Sequence, residues 1–150
     1  MNVEILNQNL KESEDFEKAL EIYILILNEH NNNIEALIGK AECLFEIGDQ
    51  FDLLKTCDII FTIDPNNINI LNIAGITLSD MQEFDEAVKC YDKIICINPN
   101  IAGTWSNKAN CLHALKKLDE ALFCCNKALE LDPNLSKAKD IKSRIEYDFK

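Results

Sequence analysis

Ile97-Asn98-Pro99-Asn100 decides how this chain is to be read, because it returns at a fixed interval. Ile63-Asp64-Pro65-Asn66 stands 34 residues before it, and Leu131-Asp132-Pro133-Asn134 stands 34 residues after it. These hold all three prolines of a 150-residue sequence. A constant period of this size signals a stack of like units, each too small to bury its own apolar face. Other positions keep the step. Leu10, Leu44, Leu78 and Leu112 share one column; Val3, Leu37, Leu71 and Trp105 share a second; Tyr23, Cys57, Tyr91 and Cys125 share a third. Asn31 takes the place of the proline in the first unit.

Each unit reads as two helices. Trp105, Ala109 and Leu112 recur at helical spacing, as do Ala121, Cys125, Ala128 and Leu129. Lys116-Lys117-Leu118-Asp119 makes the short turn between them, and Asp119 and Glu120 place negative charge where the dipole of the second helix favours it. The proline then stops that helix, having no N–H to continue it. Ala41, Gly75 and Ala109 form one column of small residues, and Ala19, Ala87 and Ala121 another, where paired helices must cross closely. Leu53 breaks the second column and predicts a slightly displaced helix there. The reading is one all-α domain over 1–150. A degenerate unit (1–33) and three clear ones (34–67, 68–101, 102–134) precede a capping helix within 135–150.

This pattern resembles the tetratricopeptide repeat. Trp105, Ala109, Leu112, Ala121, Ala128 and Pro133 stand at that family's signature spacing. Leu71, Ala74, Gly75, Leu78, Phe84, Ala87, Tyr91 and Pro99 carry the likeness in the preceding unit. The resemblance implies a right-handed α-solenoid of antiparallel helix pairs, with first helices lining a groove and the terminal helix covering the last apolar edge. It also implies a binding scaffold, without choosing the ligand.

In that register the groove positions are Glu4, Ile5, Gln8, Lys11 and Glu12 in the first unit, and Glu35, Ile38, Gly39, Glu42, Phe45 and Glu46 in the second. The third gives Asn69, Asn72, Ile73, Ile76, Ser79 and Asp80; the fourth gives Gly103, Ser106, Asn107, Asn110 and His113. One subgroup of the family clamps acidic chaperone tails with Lys, Asn and Arg. The corresponding positions here hold Glu4, Gln8, Gly39, Asn69 and Ile73, or, one unit later, Ile38, Glu42, Ile73, Gly103 and Asn107. A carboxylate would meet Glu42 instead of a cation. The expected partner is a peptide or helix with apolar anchors for Ile38, Phe45, Ile73 and Ile76 and basic flanks for Glu35, Glu42 and Glu46. Asn69, Asn72, Asn107, Asn110 and His113 would supply polar contacts.

Composition narrows the alternatives. The net charge of −11 argues against nucleic acid or an anionic membrane surface as partner. It is spread unevenly: −5 in each of the first two units, −3 in the third, zero in the fourth and +2 in residues 135–150. That gradient offers a second reading, in which the basic terminal helix enters the groove of another copy. The longest apolar run, Ile22 to Leu27, is far short of the roughly 20 residues of a spanning helix. With no basic, apolar leader, a cytoplasmic protein is expected. Seven cysteines sit mostly at recurring positions, with no C-x-x-C pair, so they read as packing; Cys96 is the expected exposed thiol. No metal, cofactor or catalytic constellation is expected: the four glycines form no phosphate loop, and neither His30 nor His113 has a nucleophile partner.

Overall fold

The computed structural model describes residues 15–150, so the expected first helix and its groove positions Glu4, Ile5, Gln8, Lys11 and Glu12 lie outside the described residues. Eight α-helices and no strand occupy the described residues. They are α1 (Phe16–Glu29), α2 (Ile34–Ile47), α3 (Gln50–Ile63), α4 (Ile68–Asp80), α5 (Phe84–Ile97), α6 (Ala102–Ala114), α7 (Leu118–Leu131) and α8 (Ser136–Asp148). The class is an all-α helical-repeat solenoid. Contacts divide it into two compact units, Met1–Ile73 and Ala74–Lys150, with the division inside α4; these are the first and second units of the structure, as distinct from the 34-residue units of the sequence.

Two junctions repeat with the sequence. Within a pair, the chain leaves the first helix through a left-handed residue: Gly48 at φ 86°, Gln82 at 64° and Lys116 at 61°. The next N–H reaches five residues back, from Asp49 to Leu44 O (3.1 Å), Glu83 to Leu78 O (2.8 Å) and Lys117 to Leu112 O (2.9 Å). This is the Schellman closure of a helix end, which satisfies carbonyls that the helix itself leaves open. Between pairs, Asp64, Asn98 and Asp132 accept from the backbone N–H two residues on, at 3.3, 3.0 and 2.9 Å, bridging each proline. Asn33 and Asn67 then cap α2 and α4 through the N–H groups of Ala36 and Ile70. Each such cap stabilises its helix by about 1 kcal/mol.

In the first unit α1 packs on α2 and α2 on α3. Ala19, Tyr23, Ala36 and Cys43 are buried together, with Phe16, Leu20, Ile26 and Leu27 against them. Leu53, despite its size in a column of small residues, is fully buried on α3. In the second unit α5, α6 and α7 pack in succession, and α8 lies on both α6 and α7. Its core joins Ala109, Leu112, Ala121, Cys124 and Cys125 to Ile141 and Ile145 of α8. Burying each isoleucine contributes on the order of 2 kcal/mol. Trp105 packs beside this core, donates from Nε1 to Pro99 O at 2.7 Å and meets Phe123 edge-on.

Five of the seven cysteines are buried and Cys96 is exposed, as expected; Cys90 is half-buried although Cys124, at the same repeat position, is buried. No helix among the described residues is long and apolar enough to cross a membrane.

Candidate functional site

Gly39 organises the first unit's site. A Cβ at this position would collide with the Tyr23 ring, so only glycine lets the tyrosine of α1 lie flush against α2. Beside that contact opens a cleft of about 400 Å³. Among the described residues its buried floor is Ala19, Tyr23, Gly39 and Cys43, and Phe16, Phe45 and Ile73 add apolar walls. Glu42 and Glu46, one helical turn apart on α2, bring two carboxylates to it.

Burial pushes the Tyr23 hydroxyl up to about 12, with the Cys43 thiol and the Glu42 carboxylate adding to the effect. The phenol therefore stays neutral across the physiological range, a hydrogen-bonding group on an otherwise apolar floor. The cleft joins ring faces and aliphatic carbon to negative charge. That combination suits a side chain with an apolar stem and a cationic or polar end.

Four residues singled out from the sequence, Glu42, Phe45, Glu46 and Ile73, come together here. Glu35 is exposed at the start of α2 and Ile38 is half-buried; Asn69 is exposed on α4 and Asn72 half-buried. None of these four lines the cleft. Gly39, placed in the groove by its register, is buried. Phe16 and Tyr23 escaped the sequence reading because it drew the groove from first helices alone. The signal was Gly39 itself, in a column otherwise occupied by Ile5, Ile73 and Asn107.

The second unit holds the remaining candidates in a different setting. A small cleft of about 90 Å³ is lined by Ile76, Asp80, Tyr91, Asn107, Asn110 and Lys137, with Ser79 beside them. Lys137 Nζ donates to Asn107 Oδ1 at 2.6 Å, and Arg144 Nη2 donates to Asn110 Oδ1 at 3.0 Å. His113 Nε2 lies 2.9 Å from Asp148 Oδ2, which also accepts from Lys116 Nζ at 3.3 Å. These two partners hold the Asp148 carboxyl below the ordinary carboxylate range. His113 is thus joined to α8 of its own chain. Ser106, expected in the groove, is completely buried instead.

Lys137 and Arg144 were not among the sequence candidates, although one more step of 34 from Gly103 and Asn110 lands on them. α8 is positioned as the first helix of a fifth unit. Its faces confirm this: Ala138, Ile141 and Ile145 are buried, whereas Lys139, Ser143 and Glu146, at the repeat positions of Trp105, Ala109 and Leu112, are exposed. The described residues hold no cluster of His, Cys, Asp and Glu suited to a metal ion.

Residues 68–101 and 102–135 each match a family model of the tetratricopeptide repeat. No curated protein matches the sequence. Among solved structures the chain is similar to a crystal structure of MamA, with a TM-score of 0.89 at 18% identity, covering 95% of this chain and 83% of that one. It is similar to MamA from Desulfovibrio magneticus RS-1, with a TM-score of 0.85 at 18% identity over 98% and 89% of the two chains. The first TPR of Spaghetti (RPAP3), bound to the HSP90 peptide SRMEEVD, gives a TM-score of 0.73 at 21% identity over 77% and 92%. At these identities the likeness shows the fold.

Proposed function

We propose that this chain, which carries tetratricopeptide repeats over residues 68–135 and is by that fold a protein–protein interaction module, seats its partner on the cleft of its first unit. The partner is a peptide or helix with apolar anchors and basic flanks, and the role is binding and not catalysis. One observation carries the reading: Glu42, Phe45, Glu46 and Ile73, separately assigned to a groove by register, line a single cleft of about 400 Å³. A pocket of that size accepts a bulky side chain. Its two carboxylates favour a basic sequence and disfavour an acidic tail.

Ile76, Asn107 and Asn110 line the smaller cleft of the second unit, and this reading does not need them for the partner's anchors. The competing reading, in which the basic terminal helix enters another copy, loses support from α8. Its Lys137 and Arg144 are engaged with Asn107 and Asn110 of their own chain, and its isoleucines are buried there. Capture of partners from native lysate by wild type and by a Phe45→Glu/Ile73→Glu variant tests the assignment. Helical content of the variant is checked by circular dichroism. Loss of the captured proteins from a folded variant is the expected result; the same set captured by both rejects the surface.

A further inference from the structure

Resting on the first-unit cleft as the partner site, we infer that its principal occupant is the side chain of an arginine in the partner peptide, so that the cationic residue is the anchor and not merely a flank. Two half-buried aromatic rings, Phe16 and Phe45, line one cavity over the buried Tyr23 ring, together with the carboxylates of Glu42 and Glu46. Aromatic faces attract a cation through their quadrupole, and a planar guanidinium also stacks on them. Two carboxylates one turn apart match its fork of N–H donors, which a compact ammonium cannot span in the same way. The three methylenes of the stem find apolar wall, and the cavity volume exceeds what a single aliphatic side chain fills.

The repeat supplies an internal comparison. The positions of Phe16, Tyr23, Glu42, Phe45 and Glu46 recur one unit later as Gln50, Cys57, Ile76, Ser79 and Asp80, and a unit beyond as Phe84, Tyr91, Asn110, His113 and Ala114. Neither set holds three aromatics with two acids. The stack needs the framework at every unit, but it needs this constellation at none of them.

The test is an amide-resolved NMR titration of the full chain with three capped tripeptides that differ only at the centre: Leu-Arg-Leu, Leu-citrulline-Leu and Leu-norleucine-Leu. Citrulline keeps the shape of arginine and removes the charge. The expected result is perturbation of the Glu42, Cys43 and Phe45 amides by the arginine peptide, with affinity about tenfold above either analogue. Glu42→Gln/Glu46→Gln, near-isosteric and folded by the same spectra, should remove that advantage. Equal affinity of the norleucine peptide at the same amides overturns the arginine anchor and leaves the apolar site standing. No perturbation of those amides by any peptide overturns both.

Discussion

Gly39 shows how one absent side chain shapes the first unit. Its column holds Ile5, Ile73 and Asn107 elsewhere, so the repeat does not require glycine; the Tyr23 ring does. Gly39→Ala should destabilise the fold by roughly 1–3 kcal/mol, as overpacking does, and displace the ring that floors the cleft. Urea denaturation measures the first effect. Wild-type stability in the variant would mean that the ring moves aside at no cost. Buried thiols make a second prediction at this scale. Burial pushes Cys124 and Cys125 up from 9 to about 11 and Tyr23 from 10 to about 12. Below pH 9 folded and unfolded chains hold these protons alike, and the stabilising contribution is fully present. Between pH 9 and 12 the unfolded chain releases them first, so stability falls as pH rises. Denaturation midpoints under reducing conditions should therefore decline from pH 9 to pH 11; a flat profile would contradict the burial.

At the scale of the elements, the junctions are the informative feature. The Asp-Pro-Asn and Asn-Pro-Asn links were legible in the sequence because proline marks them. The left-handed turns were legible only as turns. Gly48 advertises the backbone it adopts, but Gln82 and Lys116 take the same conformation without any sequence sign, held by the Schellman bonds on either side. A non-glycine residue in that region costs about 1–2 kcal/mol. Gln82→Gly should thus raise stability, by up to about 1 kcal/mol after the greater freedom of glycine in the unfolded chain is offset. A lower melting temperature in that variant would contradict the strain. α8 was legible as a cap, yet its place as the first helix of a fifth unit needed its contacts. The reason is chemical: where Trp105, Ala109 and Leu112 receive a second helix, α8 presents Lys139, Ser143 and Glu146 to solvent. That polarity hides the helix from a search for apolar columns.

For the whole molecule, the fold was readable because 34-residue periodicity constrains every unit at once. The site was less so, since a partner surface is where units are free to differ. Glu42, Phe45, Glu46 and Ile73, chosen by register, line one cleft, but register could not show that Phe16 and Tyr23 reach it from a neighbouring helix. It also placed Asn107, Asn110 and His113 without their α8 partners, which come from 30 to 35 residues away. The −11 charge acquires a local meaning through the cleft, where two of the acids meet an apolar floor. Its outlying acids act by screened attraction and govern encounter more than affinity. Selection of binders from a random peptide library on the wild-type chain, followed by titration of the selected peptides into Phe45→Glu and into Asn107→Ala, tests the central claim most directly. The account predicts basic, apolar peptides whose binding is lost in Phe45→Glu and retained in Asn107→Ala. Acidic peptides, or binding that survives Phe45→Glu, would contradict it.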